Sequence, residues 1–414
     1  MLVLLGSLVS CGTGDADAAA GRITFWHGYT DVESAALRKL GQEWNREHPG
    51  TPVDLVFDGG NDGALQKTVT GGISGKLPDL AYEYGSSAAP LARQPRLLDL
   101  TDEVRGADWN WSDFFPAARS AATSDGKVVG VPALIDNLAL VYDKKAFARA
   151  GIAPPTDTWS WDDFRAAAKK LTDARTGRYG WAYVNDGSED TVWRWTAMLW
   201  QAGGDLLTED DSKAAFDSKA GLAALTQLQE MAVQDRSVYL DTGSGNYLNL
   251  FNSGKLAMMW TGPWDLSSIN DDVDYGVTYL PGYQGDHESI AGPDVYVAFT
   301  ASPAQQRASL AFLRWLTSAE VNLRFAVATG DLPLRTSETQ LPGYADFLRK
   351  YPGNAVFVDN LDNVAHSRPT ISAYGQVSAV VGQMVQSVLL GQAQPAAALR
   401  TAAQQVDVVL EQVP

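Results

Sequence analysis

The segment GKLAMMWTGPWDL, residues 254–266, sets Trp260 and Trp264 on either side of a Thr-Gly-Pro turn. An indole held at such a corner offers a large flat surface while losing little conformational freedom, which suits stacking against a C–H-rich or planar partner. Trp193, near the start of another helix-patterned run, offers a second face of the same kind. Hydrogen-bonding and aromatic groups recur at three glycine-containing turns: His27-Gly28-Tyr29, Asp58-Gly59-Gly60-Asn61 and Tyr84-Gly85-Ser86. Asp136 and Asn137 interrupt the mostly apolar run 126–147, so their side chains must either cap a turn or face a cleft. Covalent chemistry is not marked in this way. There is no nucleophile elbow, and His27, His48, His287 and His366 are scattered without metal-ligand spacing. Acidic residues are plentiful, but the separation of a glycosidase pair is spatial and cannot be taken from spacing. The pattern points to binding without a metal or cofactor, and not to an enzyme.

The elements that must position these groups alternate. ITFWH (23–27), VDLVF (53–57) and PDLAYEY (78–84) have the short, β-branched and aromatic character of buried strands. Between them, Leu37, Leu40 and Trp44 recur at helical spacing after a start at Asp31, a second helix is expected near 62–74, and a short one from about Ser86. Strand-helix-strand order predicts parallel β-α-β units. Ligands of such sheets collect beyond the carboxyl ends of the strands, where the three glycine turns lie. Farther on, Ser160 and Asp163 bracket a helix start whose Trp161 belongs to a core-facing stripe. GRYGWAYV (177–184) and KLAMMW (255–260) are strand-like, with Trp260 expected half-buried and Trp200 inside. Pro263 suits the first turn of a helix, and Gly262 the bend before it.

With 414 residues and 45% apolar content, the chain has material for two or three core-sized units. Its formal charge of −17, from 49 acidic and 32 basic side chains, repels phosphate backbones and excludes nucleic acid as a natural partner. Cys11 is the single cysteine and rules out an intramolecular disulfide. It ends the apolar run MLVLLGSLVS and precedes GTGDADAAAG, a small and polar tether. That arrangement resembles a bacterial lipobox, in which the cysteine thiol carries lipid; no Lys or Arg precedes the run, which leaves a start farther upstream open.

AMMWTGPWDLSSINDDVDYGVTYLPGYQGD (257–286), followed by PDVYVAFTASPAQQRASLAFLRWLTSAEV (293–321), resembles the extracytoplasmic solute-binding proteins of carbohydrate ABC importers, the relatives of maltose-binding protein. The likeness extends to the opening ITFWHGYTDVESAALRKLGQEWNREHPG, GVPALIDNLALVYDKKAF, GDLPLRTS and the closing SRPTISAYGQVSAVVGQMVQSVLLG, and so covers nearly everything after the tether. It implies an α/β fold of two lobes, each a mainly parallel sheet flanked by helices, joined by crossing hinge strands. Residues 1–21 would be signal and tether, 22–135 plus 294–330 the first lobe, and 136–293 plus 331–414 the second. The family pattern gives Trp264 the role of stacking on a sugar ring and Arg368, in the RPT segment, that of contacting ligand oxygens. Tyr84 and Trp193 would add ring faces; Asn61, Asp136, Asn137 and Asp294 would bond hydroxyls, with His27, Tyr29, Ser86 and Gly292 on the rim. The implied protein is a monomer, anchored by lipid on Cys11 to the outer face of the bacterial cell membrane, that passes a carbohydrate to permease subunits. A glycerol 3-phosphate or glycerophosphodiester ligand for the same type of importer is the alternative.

Overall fold

In the computed structural model, residues 20–412 are described, apart from 61, 62, 125 and 244. Strand β1 (Ile23–His27) buries alternate side chains and pairs in parallel with β2 (Val53–Phe57) and with β3 (Leu80–Tyr84). The first helix runs Asp31–Glu47 and buries Leu37, Leu40 and Trp44, the stripe visible in the sequence; Thr30 is its N-cap, and Asp31 is its first residue and not the cap. A two-residue hairpin, β4 (Thr123–Ser124) and β5 (Lys127–Val128), precedes β6 (Val131–Leu134). The chain then leaves this lobe through β7 (Ala139–Asp143), buried on both faces, as its unbroken apolar character requires.

The second lobe adds β8 (Tyr179–Val184), β9 (Val238–Asp241), β10 (Leu256–Thr261) and β11 (Tyr275–Thr278) before the chain returns as β12 (Asp294–Ala298). Two five-stranded sheets result, with orders β2-β1-β3-β12-β6 and β11-β7-β10-β8-β9. In each, one strand lies antiparallel to an otherwise parallel set: β12 against β3 and β6, and β7 against β10 and β11. This is the two-lobe architecture expected. The helix at Trp161–Leu171 starts with the capping box of Ser160 and Asp163, and Trp161 is buried. Trp260 is only 2% exposed, not half-buried, because β10 lies inside its sheet with β7 and β8 on either side and Trp181 and Phe164 against the ring.

Two crossing segments run side by side. Gly292 donates its N–H to the Asp136 carbonyl at 3.1 Å, and Leu138 donates to Ile290 at 3.3 Å. After the helix Ala319–Thr329 the chain turns at Gly330, φ +98°, into Asp331. The tail beyond it does not join one lobe alone. Leu332, Leu334, Phe347, Tyr351 and Phe357 pack in a core with Phe25, Phe312 and Phe325 of the first lobe and Val141, Met259 and Leu266 of the second. The Arg335 guanidinium donates to the carbonyls of Thr317, Trp109 and Asn110 in the first lobe. Only farther on do the helices Tyr374–Leu389 and Pro395–Gln412 settle wholly on the second, packing Val381, Val385 and Leu399 with Trp195 and Leu225.

Candidate functional site

The parallel strands β1 and β3 end at one edge of the first sheet, and β12, running the other way, begins there. Asp294, the first residue of β12, sits opposite Tyr84, the last residue of β3. The Tyr82 hydroxyl donates to Asp294 Oδ2, and the Gly85 N–H approaches its Oδ1 at 3.4 Å. Burial raises the Asp294 carboxyl to about 7, against the lowering effect of the Tyr82 hydroxyl and the Arg368 charge. Tyr29 is 1% exposed, shares a hydrogen bond of 3.0 Å with the Tyr296 hydroxyl, and lies 4.6 Å from the Tyr82 ring. It therefore supports Asp294 from behind, through a tyrosine layer, and does not stand on the rim. His27 is also buried; desolvation, with the nearby Arg38 charge, lowers it to about 4, so it is neutral at pH 7.

Asp136 lies on the first crossing. Its Oδ1 is inaccessible and has no hydrogen-bond partner, and burial, reinforced by the Asp294 charge, raises the carboxyl well above its ordinary value. A Cβ on Gly292 would fall 2.5 Å from that oxygen and 3.3 Å from the Trp193 ring, so position 292 admits only glycine without displacement. The Trp193 Nε1 donates to the Ala291 carbonyl at 3.4 Å, and its ring lies 5.8 Å from that of Trp264 with 36° between the planes. Trp264 follows Pro263 in a short 3₁₀ turn, Pro263–Ser268, and is half-buried. Gly262 is extended, with φ −104°; its reason is the Trp264 ring, whose Cζ3 would lie 1.8 Å from an added Cβ. The bend expected of this glycine is thus a close approach between backbone and indole.

Arg368 faces the cleft from the second lobe, where it lines a pocket with Ser86, Ser120, Pro293 and Thr370. Its guanidinium is committed: Nη1 donates to Glu189 Oε1 at 2.8 Å, the oxygen that also receives the Tyr374 hydroxyl at 2.7 Å, while the Ser378 hydroxyl donates to Oε2. Asn137 is not brought into this group. It is fully buried, its amide donates to the Phe357 carbonyl, and its oxygen accepts from Asn360, both at 2.8 Å. That side chain ties the crossing to the tail, which corrects its expected place on the rim. Asn61 and Cys11 lie outside the described residues.

Two carboxylates of the cleft were not picked out in the sequence. Glu33, in the first turn of the helix Asp31–Glu47, is raised to about 9 by burial and then by the charges of Asp331, Asp294 and Asp136. Asp331, just after Gly330, is 4% exposed, its Oδ2 has no partner, and burial raises it to about 6. A carboxylate at a helix N-terminus is so ordinary that Glu33 carried no signal. Asp331 stood in GDLPLRTS, where it was expected at the boundary between the lobes and not among the ligand-binding residues; in the structure it follows Gly330, whose φ is +98°. Among the described residues, no group of three or more His, Cys, Asp or Glu is arranged to hold a metal ion.

Residues 29–323 match the family described as bacterial extracellular solute-binding protein. The sn-glycerol-3-phosphate-binding periplasmic protein of Yersinia pseudotuberculosis is 22% identical over 95% of this chain and 93% of its own. Among solved structures, a solute-binding protein of an ABC transporter from Thermotoga lettingae, bound with α-D-tagatose, is 28% identical, with a TM-score of 0.82 over 94% of this chain and 100% of that one. The GacH receptor of Streptomyces glaucescens, solved unliganded and with acarbose, is 26% identical, with a TM-score of 0.83 over 95% and 100%.

Proposed function

From the premise that the chain belongs to the bacterial extracellular solute-binding protein family, we propose that it takes up a carbohydrate, an oligosaccharide, in the cleft between its lobes and delivers it to the permease of an ABC importer. The observation that carries this reading is the half-buried Trp264 ring, backed by the buried Trp193, beside Asp136 at the crossing: a rigid flat face next to an acceptor. Sugars present C–H faces and hydroxyl rims, and such a site answers both. Closure over a ligand is favoured because half of the groups lie on each lobe and only the closed form engages them together.

The protein acts outside the cytoplasm, held by lipid on Cys11, works as a monomer, and binds without transforming its ligand. The first lobe is 22–135 plus 294–330 and the second 136–293 plus 331–414, with 332–361 bridging the two. Within this set, His27 and Tyr29 support the site from below, while Tyr84, Ser86, Asp136, Trp193, Trp264, Gly292, Asp294 and Arg368 surround the ligand. A phosphorylated glycerol is the second reading, favoured by the Yersinia relative and by the buried guanidinium of Arg368. Calorimetric titration of the protein lacking residues 1–11 tests the choice. Saturable binding by one of maltose, trehalose, cellobiose, chitobiose, xylobiose or raffinose supports the carbohydrate reading. Binding by glycerol 3-phosphate or glycerophosphocholine alone replaces it with the second.

A further inference from the structure

The cleft is rich in acceptors and poor in free donors. Glu33, Asp136, Asp294 and Asp331 come from four parts of the chain: the first helix, the first crossing, the head of β12, and the segment after the helix Ala319–Thr329. Their charges act on one another, with Asp331, Asp294 and Asp136 bearing most on Glu33, and Asp294 and Asp331 bearing on Asp136. Of the hydroxyls packed against them, Tyr82 donates to Asp294 and Tyr29 and Tyr296 share one hydrogen bond, so a single hydroxyl hydrogen is left for four carboxyl groups. Arg368 is the cation felt by Asp136 and Asp294, and Glu189 already holds it. Two carboxylate oxygens are left over. Asp331, more than nine-tenths buried, keeps Oδ2 without a partner, and Asp136 keeps Oδ1. The first neighbours the Trp264 turn, since Gly330 abuts the Pro263 carbonyl; the second lies where Trp193 closes on Gly292.

A buried acceptor without a partner is costly, and a cluster of like charges more so. A phosphate would add to the repulsion. A neutral hydroxyl would satisfy one oxygen and leave the charge. Resting on the carbohydrate reading above, we infer that the ligand is an amino or imino sugar whose charged nitrogen donates to Asp331 and Asp136 while the Trp193–Trp264 pair covers its face. A cation gives donors only, offsets the carboxylates, and is attracted by an indole face. Glu33, at about 9, keeps its proton at neutral pH and Asp294, at about 7, keeps part of one, which a bound cation expels, while Asp331, at about 6, is mostly ionised and ready to accept. Asp31, Glu189 and Tyr374 are the other titratable groups whose interactions reach this set.

The experiment uses matched pairs: chitobiose against its fully deacetylated form, and maltose against an α-linked disaccharide of the same size bearing a ring nitrogen. Glycerol 3-phosphate completes the set. Each is titrated calorimetrically at pH 7 in two buffers of different ionisation heat, which gives affinity and proton count together. A cationic member is expected to bind at least tenfold more tightly than its neutral partner, with release of protons. Asp331→Asn should reduce the ratio of cationic to neutral affinity about tenfold. Equal or tighter binding of the neutral partners, or no binding by any cationic member, overturns the inference. If a neutral sugar alone binds, the carbohydrate reading survives; if glycerol 3-phosphate alone binds, both fall.

Discussion

Replacing Asp331 by asparagine should stabilise the ligand-free protein at neutral pH. Its folded-state carboxyl is raised from 3.8 to about 6, and the residue is 4% exposed, so solvent screening takes little away. Two units at about 1.4 kcal/mol each make the ionised form cost roughly 3 kcal/mol above pH 6. The sign follows from proton counting. Below pH 4 both folded and unfolded forms hold the proton and there is no penalty. Between 4 and 6 the unfolded chain loses its proton first, so folding stability falls as pH rises; above 6 the full penalty is present. Asparagine has no such window. For a chain of about 390 ordered residues, an unfolding entropy near 2.1 cal/mol/K per residue turns 3 kcal/mol into about 3 to 4 °C of Tm. The variant should thus match the wild type at pH 4 and exceed it by about that amount at pH 7 in scanning calorimetry. Removing this charge also relieves Glu33, whose carboxyl it helps to raise. If the two proteins differ by the same amount at both pH values, Asp331 is not held against its ionisation and the reasoning fails.

Trp264→Ala should cost ligand affinity tenfold or more, the scale of one aromatic contact, while Tm moves by only a few degrees; unchanged affinity by titration would make Trp264 a packing residue. Gly292→Ala must push Asp136 Oδ1 or the Trp193 ring aside, so intrinsic tryptophan fluorescence should shift and binding weaken, with circular dichroism unaltered. Asn137→Ala takes away the side-chain donor to the Phe357 carbonyl and one of two acceptors of the Asn360 amide, which keeps the Leu138 carbonyl, and should lower stability by about 1 to 3 kcal/mol in urea denaturation, with little effect on affinity in the protein that remains folded. Glu189→Gln frees the Arg368 guanidinium, and glycerol 3-phosphate binding measured by calorimetry should rise if that cation can serve a phosphate at all.

The layout of the sheets was legible because the strands differ from the helices in period and composition. ITFWH alternates as a strand with one buried face must, and Leu37, Leu40 and Trp44 recur as a core-facing helix must. Glycine turns at the ends of β1 and β3 marked the ligand edge for the same reason. What the residues concealed was direction. Asn137 and Asp136 are adjacent in the segment between β6 and β7, yet Asn137 bonds to the tail while Asp136 lies against Gly292. Arg368 is a donor fork by type, but whether it is free depends on Glu189, distant in sequence and brought opposite by the packing of two helices. The destination of the tail could not be read either. Apolar residues such as Leu334 and Phe357 fit any core, and the one they join is shared by both sheets. Glu33 and Asp331 owe their raised carboxyls first to burial, and Glu33 then to the Asp331 charge, a property of the assembled fold and of neither residue alone.

The crossings carry a mechanical consequence. Two of them are hydrogen-bonded to each other as short antiparallel neighbours, and Asn137, in the midst of one, is bolted to Phe357 and Asn360 in the tail. Such a joint resists sliding, because sliding would break the rungs and strip the buried amide of both partners together. Swinging about the joint changes only a few backbone torsions at its ends and leaves those bonds intact. A joint built this way favours rotation of one lobe on the other over sliding, as a door turns on its pin. Whatever waits at the membrane to distinguish a loaded carrier from an empty one has that rotation to sense.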